Sequence, residues 1–151
     1  PAANGFTITI MERTCGTCTL CCKVLGVDEV STPRSAWCQH CDKKSGCKIY
    51  DQRPSACREF ICLWLVDTSI PDDLRPDKCK VVFYANEHDC FVADCDPGYP
   101  HAWLDPRVRM MIDKIVEEFG EIYVKAGANE KHIRNDGIKV FVTDLGKPAA
   151  R

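Results

Sequence analysis

The sequence predicts an α+β fold in which a cysteine-rich module with short helices is merged with a small half built from an antiparallel β-hairpin and a helix. Three observations predict it. Nine of the 12 cysteines crowd into the stretch from Cys15 to Cys62. Beyond them the texture changes to short apolar runs bounded by turn residues. One segment around Met111 then carries an apolar stripe at helical spacing behind a proline start. At 151 residues, with 45% hydrophobic and 28% charged side chains, the chain has the make-up of one ordinary domain able to bury its own core. We expect a single domain over 1–151, within which residues 13–66 form the cysteine module and 78–145 the α+β half. No repeat, low-complexity tract or interdomain linker interrupts it.

The elements follow in order. Phe6 to Ile10 alternates apolar and polar residues and reads as a strand. From Cys15 to Leu25 a helical turn or two is expected, because Cys18, Cys21, Cys22 and Leu25 recur on one side, with Gly26 ending it. Asp28 to Gly46 has loop composition, interrupted by Trp37-Cys-Gln-His-Cys41. A second helix is predicted from Pro54 through Cys57, Phe60, Ile61 and Trp64, after which Ile70 to Pro76 breaks regular structure. Lys80 to Tyr84 and Cys90 to Ala93 read as strands around the polar turn Asn86 to Asp89. Asp105 caps a helix whose first residue is Pro106, and Val108, Met111, Ile112, Ile115, Val116 and Phe119 give it an apolar face. Gly120 stops it. Strands at Glu121 to Lys125 and Ile138 to Thr143 complete the series, the latter preceded by the turn signal Asn135-Asp-Gly137.

Charge and hydropathy exclude several classes. A formal charge of -2, from 20 basic and 22 acidic residues, gives no general attraction to nucleic acid or an anionic membrane. The longest apolar run, Phe60 to Val66, is too short to span a bilayer, and no basic start followed by an apolar stretch marks a secretory signal. A cytoplasmic location is the resulting expectation. In such a compartment, and in a chain able to build a core, disulfides are a poor account of the cysteines. Metal ligation is the better one.

Thiolate is a soft ligand suited to zinc and to iron-sulfur clusters. Cys15-Gly-Thr-Cys18 and Cys38-Gln-His-Cys41, nineteen residues apart, have the spacing of a four-cysteine zinc site. Cys21 and Cys22 extend the first pair to Cys-x-x-Cys-x-x-Cys-Cys, and Cys47, Cys57 and Cys62 add three more thiols. These exceed the needs of one four-coordinate ion. Neighbouring Cys21 and Cys22 would point about 100° apart on a helix, so they fit two metals, or a bridge, better than one small ion. Cys15, Cys18 and Cys21 also match the start of a bacterial ferredoxin run, but its fourth spacing and trailing proline are absent. Between Arg13 and Arg58 stand eight basic residues against four acidic ones, a balance that would offset thiolate charge, or simply form a solvated basic surface. His40 is a candidate ligand of lower rank, and Cys79, Cys90 and Cys95, in or beside strands, read as small buried apolar residues.

Taken together, Cys15-x-x-Cys18-x-x-Cys21-Cys22, Trp37-Cys38, Gly46-Cys47-Lys-Ile-Tyr50, Arg53-Pro-Ser-Ala-Cys57-Arg58 and Cys62 resemble the YkgJ-like CxxCxxCC cysteine-cluster family of zinc- or iron-chelating proteins. The resemblance covers roughly residues 13 to 66 and implies metal chelation through Cys15, Cys18, Cys21, Cys22, Cys38, Cys47, Cys57 and Cys62. Cys41 lies outside that set, which sets the family pattern against the Cys38–Cys41 pairing. Arg53, Arg58 and Tyr50 are then candidates for orienting the ligands from behind, and Ile49 for walling the site.

The expected function is metal binding, with two zinc ions preferred over iron or an iron-sulfur cluster, in a structural or interaction module that meets a protein partner. An iron-sulfur redox protein or enzyme component, and a metal storage or delivery protein, are the alternatives. No glycine-rich phosphate loop, dinucleotide fingerprint or Ser-His-Asp order points to a self-contained enzyme. Nucleic-acid binding is disfavoured because Trp37 is the one aromatic side chain in the basic loop.

Overall fold

The computed structural model describes residues 13–126, 129–136 and 143–144. The strand expected at Phe6 to Ile10 lies outside the described residues, as does most of the one expected at Ile138 to Thr143.

The α+β reading is correct. The larger sheet has five strands in sequential order: β3 (Val81–Ala85), β4 (Phe91–Cys95), β5 (Glu121–Ala126), β6 (Asn129–Arg134) and β7 (Thr143–Asp144). β3 and β4 form the expected antiparallel hairpin, with Phe83 opposite Ala93. β4 and β5 run parallel, Ala93 opposite Val124, and a parallel pair requires a crossover. That crossover contains α5 (Pro106–Phe119), which starts with Asp105 accepting a hydrogen bond from the Arg107 backbone N–H and ends at Gly120 with φ 92°. Proline at the first position and glycine past the last are the chemistry that fixes both ends. Val108, Ile112, Ile115 and Val116 are the buried residues of the helix, each stabilising the fold by roughly 1.5–3 kcal/mol of apolar transfer. β6 was not foreseen; its sequence, Asn-Glu-Lys-His-Ile-Arg, has one buried residue, Ile133, and so lacks an apolar alternation to read.

The cysteine module is made of shorter pieces than the periodicity predicts. The expected turns from Cys15 to Leu25 reduce to one short helix, α1 (Cys21–Val24), which ends with Leu25 extended at ψ 135°. Ahead of it the Cys18 N–H donates to the Cys15 carbonyl at 2.8 Å, closing a turn. A two-residue hairpin follows, β1 (Cys41–Asp42) with β2 (Gly46–Cys47). Gly46 holds φ 113°, and a Cβ there would stand 3.1 Å from the Gly16 carbonyl oxygen. Glycine is therefore required both by the backbone conformation and by the approach of the first cysteine turn.

The predicted helix from Pro54 to Trp64 is two helices, α2 (Ser55–Glu59) and α3 (Leu63–Val66). Phe60 and Cys62 are extended between them, at ψ 128° and 130°. Packing overrides helical continuity here: the Phe60 ring meets Tyr84 edge-on at 5.1 Å between centroids, and Cys62 is buried. After α3, Arg13 gathers the carbonyls of Trp64, Asp67, Thr68 and Ile70. Another helical turn, α4 (Pro76–Cys79), leads into β3.

One hydrophobic core serves both halves. Leu20, Val24, Cys62 and Trp64 of the module belong to the same buried cluster as Val82, Val92, Ile112 and Ile122. Two ion pairs reinforce the contact: Lys23 with Asp96 at 2.6 Å, and Arg34 with Asp94 at 3.0 Å.

Candidate metal centre

All 12 cysteines are free thiols. Eight of them line a single cavity of ≈ 250 Å³: Cys15, Cys18, Cys21, Cys22, Cys38, Cys47, Cys57 and Cys62. They arrive from the first turn, α1, the loop before β1, β2, α2 and the segment leading into α3. Cys41 is not part of that lining. Its neighbours are nonetheless thiols. Burial pushes Cys41 up to about 12, with Cys22, Cys38 and Cys47 adding to the rise.

A smaller cavity of ≈ 20 Å³ adjoins part of this set and is lined by Cys15, Cys18, Cys21 and Cys62 together with Trp64, Leu65, Pro76 and Val82. That volume suits about one water-sized atom. Backbone N–H groups already address the sulfurs around it. Burial raises the Cys18 thiol, and N–H donation from Leu20 and Asp77 opposes the rise. Burial likewise pushes Cys62 up to about 11, opposed by N–H groups of Trp64 and Leu65. Donors of this kind stabilise the thiolate over the thiol. In the other half of the cluster the His40 N–H lies 3.4 Å from Cys38 Sγ.

At the remaining thiols, neighbouring sulfurs add to the effect of burial. The Cys22 thiol is raised first by its hydrogen bond with Cys21 and then by burial. Cys57 is raised by burial and by Cys22, Cys38 and Cys47, with Arg53 opposing. Cys15 is raised by burial, by Cys18 and by Cys22, while Arg53 and a hydrogen bond with Tyr50 lower it. Crowded neutral thiols are favoured at ordinary pH, so a divalent ion entering this cavity would have to displace their protons.

Of the residues expected to stand behind the ligands, Ile49, Tyr50 and Arg53 line the larger cavity, as does His40. Arg53 lies 3.8 Å over the Tyr50 ring and donates from Nε to the Tyr50 carbonyl. Arg58 is not in the lining; it is exposed and acts electrostatically on Glu29. The walls contributed by Trp64, Pro76 and Val82 were not anticipated, since nothing in their spacing relates them to the cysteines. Beside them, Arg75 donates to Thr17 Oγ1 at 3.0 Å and acts on Cys18. Cys79 and Cys95 are buried as expected, but Cys90 is only half-buried, its sulfur 4.0 Å from Glu121 Oε1.

Among the described residues, no group of three or more His, Cys, Asp or Glu side chains could hold a metal ion as the side chains stand. Binding would therefore require the thiols to draw together. The donor set itself fits a soft ion: free thiols around an apolar cavity, with N–H donors and cations beside them. Compared with family models, with curated proteins and with solved structures, the chain matches none, so the resemblance seen in the cysteine motif rests on the motif residues themselves.

Proposed function

We propose that this chain is a metal-binding protein whose cysteine cluster chelates zinc or iron, with two zinc ions preferred, and that it acts as a structural or interaction module. One observation supports this reading above the others. The eight cysteines of the motif, spread from Cys15 to Cys62, all line one cavity, whereas Cys79, Cys90 and Cys95 do not. Packing alone gives no reason for eight thiols to share a cavity, because a buried cysteine used as a small apolar residue is satisfied by any apolar neighbour. Eight thiolates also equal the demand of two tetrahedral ions.

The test is elemental analysis and an absorption spectrum of protein purified without oxygen. Colourless protein carrying about two zinc ions per chain is expected. Brown protein with matching iron and acid-labile sulfide would replace zinc by an iron-sulfur centre and move the chain to a redox role. Metal-free protein that takes up neither zinc nor iron on reconstitution would overturn the reading.

A further inference from the structure

The eight thiols do not stand in equivalent surroundings. Four of them, Cys15, Cys18, Cys21 and Cys62, line both the larger cavity and the ≈ 20 Å³ cavity behind it. The other four, Cys22, Cys38, Cys47 and Cys57, line the larger cavity alone. The small cavity is lined besides by Trp64, Leu65, Pro76 and Val82, of which Trp64 and Val82 are core residues, Leu65 packs against the core and Pro76 is buried. Trp64 is 7% exposed, and among the described residues its buried indole N–H has no hydrogen-bond partner. The larger cavity is lined in addition by loop residues such as His40, Tyr50 and Arg53.

Resting on the metal-binding reading, we propose that the eight cysteines form two separate four-thiolate sites, an inner one of Cys15, Cys18, Cys21 and Cys62 and an outer one of Cys22, Cys38, Cys47 and Cys57. The boundary falls between adjacent residues. Cys21 and Cys22 open α1, where successive residues diverge by about 100°, and Cys21 lines both cavities whereas Cys22 lines the larger one alone. Both residues line the larger cavity, so the two sites are neighbours. Cys41, a neighbour of Cys22 that lies outside the cavity lining, belongs to neither site. Each site takes one divalent ion: four thiols lose four protons to solvent and four metal–sulfur bonds form, with no change of oxidation state. The inner ion, walled by core side chains, is the one retained; the outer ion, among loops, exchanges.

The experiment uses the full chain, freed of metal under reducing conditions and reloaded with zinc, with alkylation by iodoacetamide read out by mass spectrometry of peptides. Two equivalents of zinc should slow alkylation of all eight thiols relative to the metal-free chain and not slow that of Cys41. A brief exposure to a competing chelator should then expose Cys22, Cys38, Cys47 and Cys57 together, at least tenfold faster than Cys15, Cys18, Cys21 and Cys62. Native mass spectra should show one ion retained in Cys57→Ser and in Cys62→Ser, and two in Cys41→Ser. Exposure of thiols from both sets at one common rate, or loss of both ions in either single variant while the circular dichroism of the sheet is kept, would overturn the two-site division. A wild-type chain that binds no zinc and no iron would instead overturn the metal-binding reading beneath it.

Discussion

Arg34 and Asp94, 60 positions apart, meet in a two-pronged ion pair, Nη1 to Oδ2 at 3.0 Å and Nη2 to Oδ1 at 3.1 Å. The Tyr84 hydroxyl donates to the same carboxylate at 3.1 Å. Asp94 sits on the central parallel strand pair with its side chain 1% exposed, while Arg34 comes from the cysteine module. The pair therefore joins the loop that carries Cys38 to the sheet, where the hydrophobic core alone would not fix its orientation.

Removing the arginine leaves a buried carboxylate with one partner. Arg34→Ala should cost about 2–3 kcal/mol in urea unfolding, below the range for fully buried pairs because Arg34 is 30% exposed and partly screened. The double variant Arg34→Met, Asp94→Leu should recover most of that loss. A loss under about 0.5 kcal/mol in the single variant would mean that the ion pair is dispensable.

Chelation of metal should act unevenly along the module. Leu20, Val24, Cys62 and Trp64 are anchored in the shared core, whereas the hairpin of β1 and β2 and the turn after it have few buried residues. Limited proteolysis of chelated, reduced protein should therefore cut first between Cys38 and Asp51, then elsewhere in 13–66, and last in α5 around Met111. Metal binding energy is folding energy where the backbone has little else to hold it. Cutting within α5 before the hairpin would contradict this order.

The sequence shows the sheet half well where each element carries its own signal. The Asp105-Pro106 start, the Gly120 stop and the polar turn between β3 and β4 are local chemistry, and local chemistry decided those elements. β6 escaped because its one buried residue leaves no alternation to detect. The split between α2 and α3 escaped for a different reason. Phe60 leaves helical geometry to reach Tyr84, a residue of another element, and no periodicity within 54–64 encodes that contact. At the candidate centre the motif names eight cysteines that line one cavity. Their division, and the walls from Trp64, Pro76 and Val82, depend on how α3, α4 and β3 pack behind them.

Two buried thiols outside the cluster should give the protein an alkaline limit. Burial pushes Cys79 up to about 11 and Cys95 up to about 12, from an ordinary value of 9.0. The folded state thus holds protons that the unfolded chain releases earlier, and stability from these thiols is complete below the unfolded value and lost as pH rises through the folded ones. Unfolding midpoints of metal-loaded protein should fall between about pH 9 and pH 12. Cys95→Ala should lower stability by about 1–3 kcal/mol at neutral pH and flatten that decline. An alkaline decline as steep as that of the wild type would remove Cys95 as a cause.

Glu29 controls the segment that delivers Cys57. Its carboxylate accepts from the Ser55 N–H at 3.1 Å, the Ser55 hydroxyl at 2.8 Å and the Ala56 N–H at 2.9 Å, tying the loop after α1 to the first turn of α2. Those donors, with Arg58 nearby, hold the Glu29 carboxyl below its ordinary value of 4.5. The tie is therefore present above the unfolded value and lost as pH falls through the lower folded one. Because α2 spans only Ser55–Glu59, it has little internal hydrogen bonding with which to keep Cys57 in place on its own. Glu29→Ala should then speed loss of one zinc ion to a chelator by about tenfold, the scale expected when a group behind a ligand is removed. Glu29→Gln, which keeps one acceptor oxygen, should fall between the variant and the wild type. The second, slower ion should leave at the wild-type rate in both, and equal acceleration of the two ions would show that Glu29 supports the whole module rather than the approach of Cys57.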